Sequence, residues 1–151
     1  MKRFQFKLQK LLDIRTFREK EAETNLGRAI AAREAIVLRL TEIAQAELKT
    51  RHSMESNAKT GSELSLHGNY LERLRLEREK QLHALAEAEL VIEKMRKLYI
   101  TAHQERLIVT KLQERKAQQW KDSELKKETA ILDDMVNARE HRKHHIQSLY
   151  F

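Results

Sequence analysis

The stretch LERLRLEREKQLHALAEAELVIEKMRKLYITAHQERLIV, residues 71–109, decides the fold. Leu71 and Leu74, Arg78 and Gln81, Leu85 and Ala88, Ile92 and Met95, Tyr99 and Ala102, and Arg106 and Val109 recur at steps of three and four. Six such repeats form the seam of a coiled coil. Glutamate, lysine, arginine and glutamine fill the remaining faces, and all are good helix formers. The helical pattern widens to Leu64–Ile146, a run with one early glycine, Gly68, and no proline. At about 1.5 Å per residue, such a helix exceeds roughly 100 Å. A helix of that length buries one narrow stripe, so the fold turns on what lies against it.

An earlier stripe supplies the answer. Leu8 and Leu12 begin it, and Ala22, Leu26, Ala29, Ile36, Leu40 and Ile43 extend it. Arg15, Glu19 and Arg33 interrupt the seam. Charged seam positions cost stability but fix register when they find partners, and their long stems can lie along the seam with the tip in water. Gly27 is either a tolerated weak point, at about 1 kcal/mol relative to alanine, or a place where another helix approaches closely; the first reading is preferred. Periodicity fades after Leu48. Ser53, Ser56, Asn57, Gly61, Ser62, Ser65 and Gly68 then form the main cluster of breakers. Two capping patterns compete for the start of the second helix, Thr60-Gly-Ser-Glu63 and Asn69-Tyr-Leu-Glu72, and the start is expected between them.

Two amphipathic helices joined by one polar connection fold back on each other. The expected architecture is all-α: one antiparallel coiled-coil hairpin over residues 1–151. Helix 1 covers about 4–52, the turn about 53–66, and a longer, overhanging helix 2 about 67–146. A turn centred near Gly61 sets Phe4 opposite roughly Gln118. The last thirty or so residues then lack a partner within the chain. There the apolar positions change phase to Leu125, Leu132 and Met135, which alters the local supercoil. A dimer that swaps helices uses the same stripes, so the pattern leaves pairing within or between chains open.

Composition points the same way. Charged residues make up 35% of the chain and aromatics only 5%, with three glycines and no proline, which is the make-up of long helices rather than of a globule. The absence of cysteine excludes disulfides and thiolate metal sites. No apolar run approaches the ~20 residues of a membrane span, and Met1-Lys-Arg-Phe-Gln-Phe lacks the apolar core of a secretory signal. These features lead us to expect a cytosolic protein that meets a membrane only through partners. Net charge is +7, but acids are interspersed with bases, so the excess is diffuse.

Candidate sites are sparse. His141, His144 and His145 share a helix face, yet Arg139, Arg142 and Lys143 surround them and repel a divalent cation. We read them as a solvated basic helix end. His52, His67, His83 and His103 read as scattered surface residues. No nucleotide-binding glycine loop or HExxH motif is present, and a rod offers no pocket to shift the pKa of a carboxylate pair. Arg73 with Glu77 and Glu93 with Lys97 read as surface support along one helix. The expectation is therefore no catalytic residue, no cofactor and no metal. Charge alone is a weak case for nucleic acid, because no basic region or aromatic stacking platform accompanies it. Trp120 either covers the base of the hairpin against Phe4 and Phe6 or meets a partner. Tyr150 and Phe151 end the chain as an aromatic pair.

The opening Phe4-Gln-Phe6-Lys-Leu8-Gln-Lys-Leu11-Leu12-Asp13-Ile14-Arg15, continuing through Glu19, Glu21 and Ala22 to Leu26 and Ala29, resembles the start of the flagellar FliJ family. Glu128-Thr-Ala-Ile-Leu132-Asp133-Asp134-Met135 is similar to that family's acidic C-terminal motif. The resemblance implies a non-enzymatic component of the flagellar type III protein export apparatus, serving motility. It implies a stalk whose paired termini insert into the hexameric export ATPase, promote its assembly and activity, and link it to the export gate membrane protein and export chaperones. The location implied is cytoplasmic, peripheral to the inner membrane at the flagellar base. By the same resemblance, Phe4, Phe6, Leu8, Leu11, Leu12, Asp13, Arg15, Leu132 and Asp134 belong to the ATPase-side end. Ile43, Tyr70 and Leu74 belong to the gate side, where Ala46 and Thr50 stand at positions the family fills with aromatics. Two alternatives remain at this stage: an equivalent stalk of a virulence-type secretion system, and a basic coiled coil that binds nucleic acid.

Overall fold

The computed structural model of the protein describes residues 3–56 and 60–149. It contains two helices, α1 (Gln9–Ser56) and α2 (Gly61–Leu149). They pack against each other as a helical hairpin in which the second helix is the longer. The expected aromatic pair Tyr150 and Phe151 lies outside the described residues.

Helix boundaries differ from the periodicity estimate, and local chemistry explains why. α2 begins at Gly61 rather than near residue 67. Thr60 caps it: the Glu63 amide donates to Thr60 Oγ1 (3.2 Å), and the Leu64 amide donates to the Thr60 carbonyl (3.1 Å). The first bond satisfies one of the amides that a helix start leaves open, and the second is the first rung of the helix's own ladder. Glu63 adds a carboxylate to the first turn, where the helix dipole favours it. Ser62, Ser65 and Gly68, read as breakers, are therefore helical. α1 runs on to Ser56 and starts at Gln9 rather than Phe4, with Phe4 to Phe6 outside the helix. There the Gln9 amide donates to the Phe6 carbonyl (3.1 Å) and the Leu12 amide to the Leu8 carbonyl (3.0 Å).

Internal contacts group the chain into two compact units, Thr16–Gln104 and Met1–Arg15 with Glu105–Phe151. In the first, Ile43, Leu74 and Ile92 are buried, and Ala22, Leu26, Ala29, Ile36, Leu40, Leu71, Gln81, Leu85, Ala88, Met95, Tyr99 and Ala102 are half-buried. Within this unit the seam positions read from the sequence are thus the covered ones, whereas Leu8, read as the start of the α1 seam, is exposed. Ion pairs of Arg78 with Glu47 (3.0 Å) and Arg39 with Glu77 (2.6 Å), and a hydrogen bond between His103 Nδ1 and Glu19 Oε1 (2.6 Å), set the register across the helices. From Glu47 back to Glu19 along α1 the partners run from Arg78 forward to His103 along α2, the antiparallel order. Buried Thr50 donates to the Ala46 carbonyl (2.8 Å), so its hydroxyl is satisfied within its own helix.

Three residues depart from the surface roles expected of them, the first being His67, which is half-buried. His103 is half-buried, paired with Glu19 and stacked on Tyr99 with ring centroids 5.9 Å apart. Glu77 pairs across the hairpin with Arg39 instead of along α2 with Arg73. Gly27 has nothing within 4 Å of the position a Cβ would take, so no helix approaches it closely.

Candidate partner-contact site

The second unit carries the residues assigned by resemblance to the ATPase-side end. Val109 is its buried seam residue. Around it, Leu12, Arg15, Glu105, Arg106, Leu112, Gln113, Ala117 and Trp120 are half-buried. Arg15 pairs with Glu105, and Gln113 Nε2 donates to Gln9 Oε1 (3.0 Å). Phe4 meets Trp120 with ring centroids 6.0 Å apart and planes tilted by 50°. That geometry is a favourable edge-biased aromatic contact. Trp120 thus packs on the N-terminal segment, two residues from the position opposite Phe4 that the turn arithmetic gave.

Beside this contact lies a recess of about 400 Å³, lined by Phe4, Gln5, Phe6, Lys7, Leu8, Leu112 and Lys116. Its floor is apolar, and two lysines stand among its lining residues. Sequence reasoning named Phe4, Phe6 and Leu8 but missed Leu112 and Lys116. The count that sets Phe4 opposite Gln118 carries the information: moved along to Leu8, it reaches the segment that includes them. Leu8, at the edge of the recess and just before the first helix, is 41% exposed, and Leu11 and Ile14 on that helix are 36% and 51% exposed. Asp13 is exposed and accepts from Gln9 Nε2 (3.0 Å).

Leu132 and Asp134 are placed differently. They are exposed on α2, a dozen or more residues past Trp120, about 18 Å along the helix. The structure does not bring them to the N-terminal group. The gate-side residues separate as well. Ile43 and Leu74 are buried at 1% and 5% exposure, which makes them core residues of the seam rather than a surface for a partner. Tyr70 is exposed. The reason is the hairpin period: Ile43 and Leu74 occupy inward seam positions, and Tyr70 lies one step off it.

His141, His144 and His145 line an open, shallow surface of α2 with Arg142 and Ser148. Among the described residues no group of three or more His, Cys, Asp or Glu side chains is placed to hold a metal ion. Among the same residues, no helix is long and apolar enough to cross a membrane.

A protein-family model described as the flagellar FliJ protein matches residues 4–145. This chain belongs to the FliJ family. No curated protein and no solved structure matches it. Membership in the FliJ family gives the chain a role in flagellar protein export, as a non-enzymatic component of that process. It takes the flagellar side of the choice that the helical pattern left open. In this FliJ-family chain the match runs from Phe4 through the hairpin and on into the exposed end of α2.

Proposed function

We propose that the chain is a stalk of the export apparatus whose Phe4–Trp120 end enters the hexameric export ATPase and favours its assembled, active state. The observation that supports this reading is the apolar set Leu8, Leu11 and Ile14, left in solvent beside a recess flanked by Lys7 and Lys116. Apolar side chains grouped with cations suit a pore wall that offers small apolar contacts and carboxylates. Phe4 and Phe6 line the recess, Leu12 and Arg15 hold the underlying seam, and Leu8, Leu11 and Asp13 face outward. Leu132 and Asp134 extend the contact along α2. The chain hydrolyses nothing itself: by binding the assembled ATPase better than its free subunits, it shifts the population toward the assembly. The same stalk links the ATPase to the export gate, with Tyr70 as the exposed gate-side residue, and to export chaperones. The stalk stands in the cytoplasm, at the inner membrane through those partners.

The test is turnover of the cognate purified ATPase with and without the chain. Stimulation is expected, and the double substitution Leu8→Ala, Leu11→Ala is expected to weaken it about tenfold without loss of helicity. Absence of both binding and stimulation by the unmodified chain overturns the proposal.

A further inference from the structure

From Leu125 to Ile146 every described residue of α2 is exposed. Leu132 and Met135, both 61% exposed, stand at the middle of this segment. Their face is not a continuation of the intramolecular seam. Carrying the three-four spacing on from Val109 reaches Lys127, Ala130 and Asp134, not the leucines. Leu125, Leu132 and Met135 lie off that line and form a second stripe, with Ile131 and Val136 exposed at its flanks. A lone helix of this polarity is marginal in water, so a covering partner stabilises it.

The stripe itself specifies the partner. Along it stand Leu125, Glu128, Leu132, Met135, Arg139 and Arg142. The steps are three, four, three, four, three, the same in both directions. Read backwards, the four central positions meet their complements: Leu132 falls opposite Met135, and Glu128 falls opposite Arg139. A parallel copy sets Glu128 on Glu128 and Arg139 on Arg139, which like charge disfavours. Among the described residues neither Glu128 nor Arg139 has a hydrogen-bond or ion-pair partner within the chain.

We infer that this segment pairs antiparallel with the same segment of a second copy of the chain. The dimer core is two Leu132–Met135 layers closed at each end by a Glu128–Arg139 pair. The stem of Arg142 covers Leu125 and leaves its guanidinium in water. Charge in a polar seam position selects orientation and register, as in other coiled coils. This pairing does not depend on the stalk reading, but it uses Leu132, so the dimer and the proposed ATPase complex compete for that residue.

The experiment uses the full chain alone. Sedimentation up to roughly 100 µM is expected to show a monomer–dimer equilibrium in the micromolar range. Glu128→Arg and Arg139→Glu are each expected to raise the dissociation constant about tenfold or more, and the double variant to restore it to within about threefold. Circular dichroism confirms that these exposed substitutions keep the helix. The natural chain has no cysteine. A mixture of Leu132→Cys and Met135→Cys chains is therefore expected to form the mixed disulfide in preference to either symmetric one. A monomer throughout the range, a dimer indifferent to Glu128→Arg, or preferential symmetric crosslinking overturns the inference.

Discussion

The hairpin segment around Ile43 and Leu74 and the segment around Leu132 and Met135 use the same arithmetic. Both place apolar residues at steps of three and four among charged helix formers. In the first, the opposing helix of the same chain covers the stripe, and Ile43 and Leu74 are buried. In the second, Leu132 and Met135 remain in solvent. Periodicity defines a stripe, and the length of the available partner decides whether it becomes a core. α1 begins at Gln9 and the segment before it meets α2 at Trp120, and among the described residues none covers α2 from Leu125 to Ile146.

The largest expected contrast is in core truncation. Ile43→Ala or Leu74→Ala removes a fully covered side chain, and a loss of about 2–4 kcal/mol is expected in urea unfolding. Leu132→Ala in dilute solution is expected to cost less than about 0.5 kcal/mol, because it leaves no cavity. Comparable losses at the two places break the distinction between the regions.

Phe4→Ala tests where covered residues give way to exposed ones. It removes the ring against Trp120, the sole tryptophan, and an emission shift to longer wavelength is expected with a stability loss of about 1 kcal/mol. Unchanged emission from Phe4→Ala contradicts the packed end.

Gly27→Ala acts with the opposite sign. Open space surrounds the added methyl, and the backbone there is helical. A gain of about 0.5–1 kcal/mol in thermal or urea stability is expected. Destabilisation instead implies a close helix approach at that point.

The smallest effect concerns acid. The hydrogen bonds from Arg75 hold the Glu72 carboxyl below its ordinary value of 4.5. A carboxylate whose folded pKa is lowered stabilises the fold above its unfolded pKa, and that contribution fades as pH falls below 4.5. Glu72→Gln is expected to flatten this slight acid dependence in helicity measurements and to cost a small amount of helicity at neutral pH, where the carboxylate contribution is fully present.

Much of the fold was legible in the residues. The seam from Leu71 to Val109 is covered at each position its spacing names, because a 3.5-residue repeat on a 3.6-residue helix confines those side chains to one face. Trp120 near Phe4 follows from counting outward from the turn. Other features were illegible for physical reasons. Thr60 and Asn69 have similar capping chemistry, and only the backbone path shows that Thr60 is used. His103 reads as surface until Glu19 is brought beside it. By resemblance Ile43 and Leu74 stand among contact residues, and their burial between the helices shows only in the folded chain.

Of the candidate site, the sequence named Phe4, Phe6, Leu8, Leu11, Leu12, Asp13 and Arg15 at one end. Counting from the turn reaches the segment that holds Leu112 and Lys116, but only the folded chain shows that these two side chains complete the recess. By itself the sequence determined two unequal helices, their seams, the antiparallel order and the family. Only the tertiary structure decided which charges pair across the helices, which cap starts α2, and which of two equally regular stripes is covered. Local spacing sets a helix and its faces through bonds a few residues apart, whereas burial depends on what a distant part of the chain can reach.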